Sequence, residues 1–157
     1  MNKIIRKIQY SEKVYRFDVE APLIAKSRKA GNFVIIRVDA NSERMPLTIA
    51  DADIEKGTIT LVVQKVGLSS TKLCNLNEGD EIHDVVGPLG NPTHIENFGT
   101  VLCAGGGVGV APMLPIIKAL KAAGNRVLSV IAGRSKDLVI MEDEVRASSD
   151  ELIIMTD

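Results

Sequence analysis

Tryptophan is absent, and the aromatic complement is two tyrosines and three phenylalanines. The core must therefore be built from aliphatic side chains, with little ring surface available for stacking. Cysteine occurs only at Cys74 and Cys103, and histidine only at His83 and His94. With no CxxC pair and no histidine pair nearby, this chain alone can build neither a zinc site nor a cysteine-ligated iron–sulfur cluster, and the two thiols read as reduced and buried. Long apolar runs are missing too: none nears the ~20 residues of a bilayer span. The start, Met1-Asn2-Lys3-Ile4-Ile5-Arg6, lacks the apolar stretch and small-residue cleavage site of a secretory signal. Nor is there an excess of either charge. Lys and Arg number 19 against 20 Asp and Glu, a net charge of -1, and no basic run is dense enough for nucleic acid or an anionic membrane. These absences leave a cytoplasmic globular protein. Its 157 residues, 45% of them apolar, suffice for one domain or a domain and a part.

The N-terminal part reads as strands. Tyr15, Phe17 and Val19 alternate with Arg16, Asp18 and Glu20, the period of two of a strand with one face in the core. Similar runs follow at Phe33 to Val38, Thr58 to Val66 and Glu81 to Val86, punctuated by Ala30-Gly31-Asn32, Glu55-Lys56-Gly57 and Asn77-Glu78-Gly79-Asp80. This spacing predicts a small antiparallel barrel. Beyond the turn-rich stretch from Gly87 to Gly99 the grammar changes. Thr100 to Ala104 is a buried strand, Gly105 to Gly109 a glycine loop, and Ala111 to Ala123 a helix closed by Gly124. Val127 to Ala132 is a second strand, Asp137 to Arg146 a second helix and Glu151 to Thr156 a third strand, a βα alternation that predicts a parallel sheet. In a doubly wound sheet a last strand with no helix after it would leave either Ile153 and Met155 or Leu152 and Ile154 poorly covered. The second domain is therefore expected to be incomplete at its C-terminus, unless it is a small three-stranded domain closed by a partner.

The strongest local signal is Ala104-Gly105-Gly106-Gly107-Val108-Gly109-Val110-Ala111-Pro112, which follows a strand and opens a helix. Positions without side chains let a diphosphate reach the main chain, and free N–H groups at the helix start bind its charge. Pro112 in the first turn costs no hydrogen bond. Gly105 and Gly107 fit the first two positions of the dinucleotide fingerprint, but Val110 stands at the third; glycines kept only for tight strand–helix packing are the competing explanation. After the second strand, Arg134, Ser135 and Lys136 suit a 2′-phosphate, or form a solvated turn. In the barrel, Pro46 within Arg44-Met45-Pro46-Leu47-Thr48-Ile49-Ala50-Asp51 belongs at a strand edge or start, where exposed main chain can hydrogen-bond a planar heterocycle. Gly67-Leu68-Ser69-Ser70-Thr71 opens a short helix whose hydroxyls and N–H groups suit either a phosphate or an ordinary cap.

In this order, Arg44 to Asp51, Gly67 to Leu73, Gly87-Pro88-Leu89-Gly90 and the Gly105 to Pro112 loop resemble the ferredoxin-NADP reductase superfamily. Within it they are most similar to the branch that holds the electron-transfer subunit of dihydroorotate dehydrogenase, the sulfide dehydrogenase subunit and the small subunit of NADH-dependent ferredoxin:NADP oxidoreductase. The resemblance runs through the whole chain and implies a six-stranded antiparallel flavin-binding barrel over 1–97 and an NAD(P)-binding α/β domain over 98–157. It implies FAD as the flavin, with Pro46, Leu47, Thr48 and Ile49 along the isoalloxazine, Thr48 near N5, and Val63 beside them. Gly67, Ser69, Ser70 and Thr71 would hold the flavin diphosphate. Gly105, Gly106, Gly107, Val108, Gly109, Ala111 and Pro112 would hold that of NAD(P)H. Two positions depart from the superfamily pattern: Arg44 stands one place early and Leu47 replaces the usual ring. The branch further implies a [2Fe-2S] centre in a C-terminal segment this chain lacks, and a larger catalytic or iron–sulfur flavoprotein subunit or a ferredoxin as partner. The activity implied is electron transfer from NAD(P)H through FAD, with no side chain as nucleophile or base. A non-catalytic docking module and a stand-alone flavin reductase are the alternatives.

Overall fold

Alternating side chains do become strands through the N-terminal half of the chain, whose residues 2–157 a computed structural model describes. Two compact units result, one ending at Pro92 and one beginning at Thr93. The first contains β1 (Asn2–Gln9), β2 (Val14–Glu20), α1 (Pro22–Ser27), β3 (Phe33–Arg37), β4 (Met45–Thr48), β5 (Asp51–Asp53), β6 (Thr58–Gln64), α2 (Leu68–Cys74), β7 (Glu81–Ile82) and β8 (Asp84–Leu89). They form a five-stranded sheet of order β5-β6-β2-β1-β7 and a three-stranded sheet of order β4-β3-β8, paired antiparallel throughout. Alternate residues are buried at Phe17 and Val19 and at Val34 and Ile36, β6 is buried from Thr58 through Leu61, and Ile4, Phe17, Val19, Val34, Ile36, Ile59 and Leu61 form a solvent-free aliphatic core around one ring.

Where a six-stranded antiparallel barrel is expected, the antiparallel strands are present as eight segments in two sheets. Two runs that read as single strands change partners midway. At Ile49 the N–H donates to the Asn32 carbonyl (3.1 Å), and one residue later the Ala50 N–H donates to that of Thr60 (2.9 Å). The chain has crossed from the small sheet to the large one, the corner geometry of packed sheets. A second crossing falls at His83, between β7 on β1 and β8 on β3.

The second unit is β9 (Thr100–Gly106), α3 (Val110–Ala122), β10 (Arg126–Gly133), α4 (Glu142–Ala147) and β11 (Glu151–Thr156), a parallel sheet of order β11-β10-β9. The helix expected over 137–146 is divided. A 3-10 turn spans Lys136–Leu138, Val139 is extended, Met141 is left-handed (φ 57°), and α4 starts only at Glu142. Ile140 and Met141 are buried, and sinking that apolar pair breaks the helix. One face of the sheet carries the buried Val127, Ser129 and Ile131. On the opposite face Leu102, Ile153 and Met155 are 69%, 59% and 57% exposed, an openness unusual for a parallel sheet. Of the two pairs weighed from sequence, Ile153 and Met155 are the bare one.

Candidate functional site

β4 is the edge of its sheet, and its hydrogen-bond phase decides what that edge offers. The Ile49 N–H bond to Asn32 continues the register Phe33↔Thr48, Val34↔Leu47, Ile35↔Pro46. Because ladder bonds alternate along an antiparallel pair, Leu47 bonds to β3 while Pro46 and Thr48 turn their main chain outward. Pro46 therefore sits where no ladder N–H is required. The free edge presents the Pro46 carbonyl and the Thr48 N–H and carbonyl, one donor between two acceptors.

A groove of ≈ 360 Å³ lies along this strand. One wall is Glu43, Met45, Pro46 and Leu47; the other is Val63 and Gln64 at the end of β6, then Val66, Gly67 and the first turn of α2 through Ser70. Val66 and Leu68 are 77% and 78% exposed, two large apolar side chains with no core to enter. Gly67 between them has extended backbone (φ -156°), and a Cβ built there would meet nothing within 4 Å. Backbone conformation and packing there admit any residue, and the one internal preference for glycine is its place as N-cap of α2. Glu43 is the only charged lining residue, and the lining has no ring.

The sequence-predicted residues divide accordingly. Pro46, Leu47, Val63, Gly67, Ser69 and Ser70 come together in the groove. Ser70 is buried, and its hydroxyl accepts the N–H groups of Val66 and Gly67 (2.9 Å each) and donates to the Gly67 carbonyl (3.1 Å), so it closes the turn rather than waiting for a phosphate. Thr71 continues the helix by donating its N–H to Gly67. Ile49 is 1% exposed and belongs to the core. Thr48 is half-buried and outside the lining, and Arg44 is exposed just before β4. Glu43, Met45, Gln64, Val66 and Leu68 were missed. Val66 and Leu68 left a signal, apolar bulk bracketing a glycine out of phase with any buried stripe.

The turn that leads into β4 is tied to α2. Lys72 Nζ lies 3.2 Å from Asp39 Oδ2 and 3.3 Å from Ser42 Oγ. The Ser42 hydroxyl first, then the Asn41 N–H and Lys72, hold the Asp39 carboxyl below its ordinary range. Burial pushes the thiols of Cys74 and Cys103 up, which keeps both protonated and unreactive.

In the second unit the glycines have separate reasons. A Cβ on Gly105 would stand 3.2 Å from Met113 Sδ and 3.3 Å from the Gly109 carbonyl, so Gly105 serves close packing of β9 on α3. Gly107 is left-handed (φ 56°). Gly109 is αR, and a Cβ there would meet nothing. β9 runs on through Gly106, a 3-10 turn takes Gly107–Gly109, and α3 follows with no side-chain cap. Val108 and Pro112 are half-buried and Ala111 is buried. Packing thus accounts for Gly105 and backbone for Gly107; Gly109, the N-cap of α3, has open space where a Cβ would stand. Arg134 is exposed beyond β10, and the Ser135 hydroxyl donates to Asp137 Oδ1 at 2.7 Å. His94 pairs with Glu96 at 2.9 Å and His83 lies 4.0 Å from Asp84, both away from these residues in sequence and outside the groove lining. Among the described residues no helix is long and apolar enough to cross a membrane, and no three His, Cys, Asp or Glu side chains are grouped as metal ligands. Two cysteines, Cys74 and Cys103, are fewer than the four thiolates an iron–sulfur cluster takes, so these residues do not fit one.

No family model matches the chain. An electron transfer subunit homolog of dihydroorotate dehydrogenase B (NAD(+)) from Thermotoga maritima is 46% identical over 157 residues, covering 100% of this chain and 56% of the relative. The solved NADH-dependent reduced ferredoxin-NADP oxidoreductase, studied for flavin-based electron bifurcation, superposes with TM-score 0.96 at 44% identity over 100% of this chain and 57% of its own. Phthalate dioxygenase reductase, described as a modular structure for electron transfer from pyridine nucleotides to [2Fe-2S], shares the fold at TM-score 0.79 and 22% identity, over 99% of this chain and 51% of its own. The chain thus spans little more than half the length of the relatives it matches. Along its whole length the chain is thus similar, in sequence and in fold, to the electron-transfer subunits of dihydroorotate dehydrogenase B and to an NADH-dependent ferredoxin-NADP oxidoreductase.

Proposed function

We propose that this chain is the flavin- and nucleotide-handling part of an electron-transfer subunit, binding FAD in the β4–α2 groove and NAD(P)H at the Gly105 to Pro112 turn. One observation carries the reading: Gly67 lines the groove where a Cβ would meet no protein atom, as expected where a ligand approaches the main chain. When bound, a flavin accepts hydride from reduced nicotinamide and releases electrons singly. The rest is positioning by this chain. The Pro46 carbonyl and the Thr48 N–H and carbonyl orient a planar ring edge. Met45, Leu47, Val66 and Leu68 exclude water from its apolar face. At the second site the turn amides before α3, uncapped by any side chain, are suited to a diphosphate. No lining side chain needs to act as a nucleophile, and Glu43 is the sole titratable group there.

The relatives' names point to acceptors outside this chain. A larger catalytic or iron–sulfur flavoprotein subunit, or a ferredoxin, is the proposed partner, and a [2Fe-2S] group would lie beyond these residues. Titration of flavin-free protein with FAD, followed by absorbance and fluorescence, tests the assignment. Saturable one-to-one binding that is lost in Gly67→Val supports it; no binding, or equal binding by the variant, overturns it. A groove lined by neither a ring nor a cation also favours a second reading, a flavin reductase for which flavin is a substrate. Micromolar, freely exchanging flavin would select that one.

A further inference from the structure

Lys72 stands one helical turn beyond Leu68 on α2, so the two side chains lie one above the other on the same face of the helix. Leu68 lines the groove and Lys72 does not. Lys72 reaches across to the opposite wall. Its Nζ lies 3.2 Å from Asp39 Oδ2 and 3.3 Å from Ser42 Oγ, and Ser42 immediately precedes Glu43, which lines that side. Resting on the flavin reading above, we propose that Lys72 is a positioning residue, a latch that joins the two walls beside Glu43 and slows the release of bound flavin.

The two ends of the bridge differ in how firmly they are held. Leu73 and Cys74, next to Lys72, are buried in the core, so the helix end is anchored. The other end is a connection. Residues 38–44 lie between β3 and β4 and belong to no strand. Past Val38, whose carbonyl accepts the His83 N–H at 3.2 Å, the bonds of this segment close the turn on itself. The Ser42 N–H donates to the Asp39 carbonyl at 3.1 Å and the Asn41 N–H to Asp39 Oδ1 at 2.9 Å, while the Arg37 guanidinium donates to the Ala40 carbonyl. Such a turn keeps its shape as a unit, and the bonds from Lys72 fasten that unit to the helix. The ion pair is partly exposed, with side chains 38% and 49% accessible, and a pair of that kind adds little to global stability. A segment with few bonds to its surroundings opens without unfolding the rest. Breaking the bridge therefore loosens one wall of the groove and leaves the domain folded.

Stopped-flow mixing of the flavin-free chain with FAD gives the entry rate, and dilution of the loaded chain gives the release rate, both followed by flavin fluorescence. Lys72→Met, which keeps the apolar stem, should speed release by about two- to fivefold, with entry as fast as in the native chain or faster and the urea midpoint little changed. Lys72→Arg keeps the charge and the donors and should restore native release. Asp39→Asn should speed release as well, and adding Lys72→Met to it should change nothing further, because the two residues act as one unit. Salt raised toward ~1 M should bring native release close to that of Lys72→Met. Slower entry with unchanged release in Lys72→Met would make Lys72 an attracting charge, and a lower urea midpoint with unchanged rates would make it a structural one; either result overturns the proposal, as do additive effects of the two substitutions. Native binding of FAD with unaltered release in Lys72→Met sinks the latch alone. If the native chain takes up no FAD, the groove reading itself is wrong and the latch falls with it.

Discussion

Replacing Gly67 by alanine should separate folding from binding, because the two place opposite demands on the added methyl group. In the fold the methyl meets nothing within 4 Å, on extended backbone that any residue adopts. Glycine is a better N-cap than alanine, so the exchange costs about 0.5–1 kcal/mol there. Restricting the unfolded chain returns about 0.4–1 kcal/mol. The two nearly cancel, and the urea midpoint is expected to stay within error of the native one. In the groove the same methyl stands where a flavin would approach the main chain, and overpacking of that kind costs about 1–3 kcal/mol, a loss of roughly 5- to 150-fold in FAD affinity. Gly57→Ala is the control. Gly57 is left-handed (φ 67°), and its Cβ would lie 3.0 Å from that of Pro22, so it should lower stability and leave FAD affinity per folded molecule unchanged. If Gly67→Ala unfolds at clearly lower urea, or binds FAD as the native chain does, the argument from the open space at its Cβ is wrong.

Gly109→Ala is expected to behave in parallel, keeping its melting temperature within a few degrees while weakening nucleotide binding without affecting FAD; a loss of both would show that the glycine is structural. Ser70→Ala strips the acceptor from the Val66 and Gly67 N–H groups and should cost about 2 kcal/mol in denaturant unfolding, with FAD affinity falling as the turn loosens. The Asp150 carboxyl is lowered by Lys121 (2.6 Å) and then by the Val127 N–H (2.7 Å). A depressed folded pKa means stability fully present above the unfolded value of about 3.9 and lost as pH falls through the folded one. Asp150→Asn should therefore flatten the acid limb of the stability profile below about pH 4, and an unaltered limb would remove Asp150 as a contributor.

The parallel βα unit was legible because its signals are local: an apolar run, a glycine cluster and a helical stripe each report on a few neighbouring residues. Gly105 shows the limit of such reading, since a glycine needed for packing against Met113 and one left bare at 109 look alike in a string of letters. The division of residues 137–146 was hidden for a similar reason. Helical spacing is visible along the chain, but the burial of Ile140 and Met141 that interrupts it depends on what packs above them.

Composition and alternation alone established a two-part chain of antiparallel then parallel strands, with aliphatic cores and no cysteine set for a metal, because these follow from residue type and period. Which main-chain groups of β4 face outward, that Ser70 is spent inside its own turn, and that Ser135 holds Asp137 were decided only by tertiary structure. Each depends on the phase of a hydrogen-bond ladder or on a contact across a turn, and a change of one residue in register would reverse it.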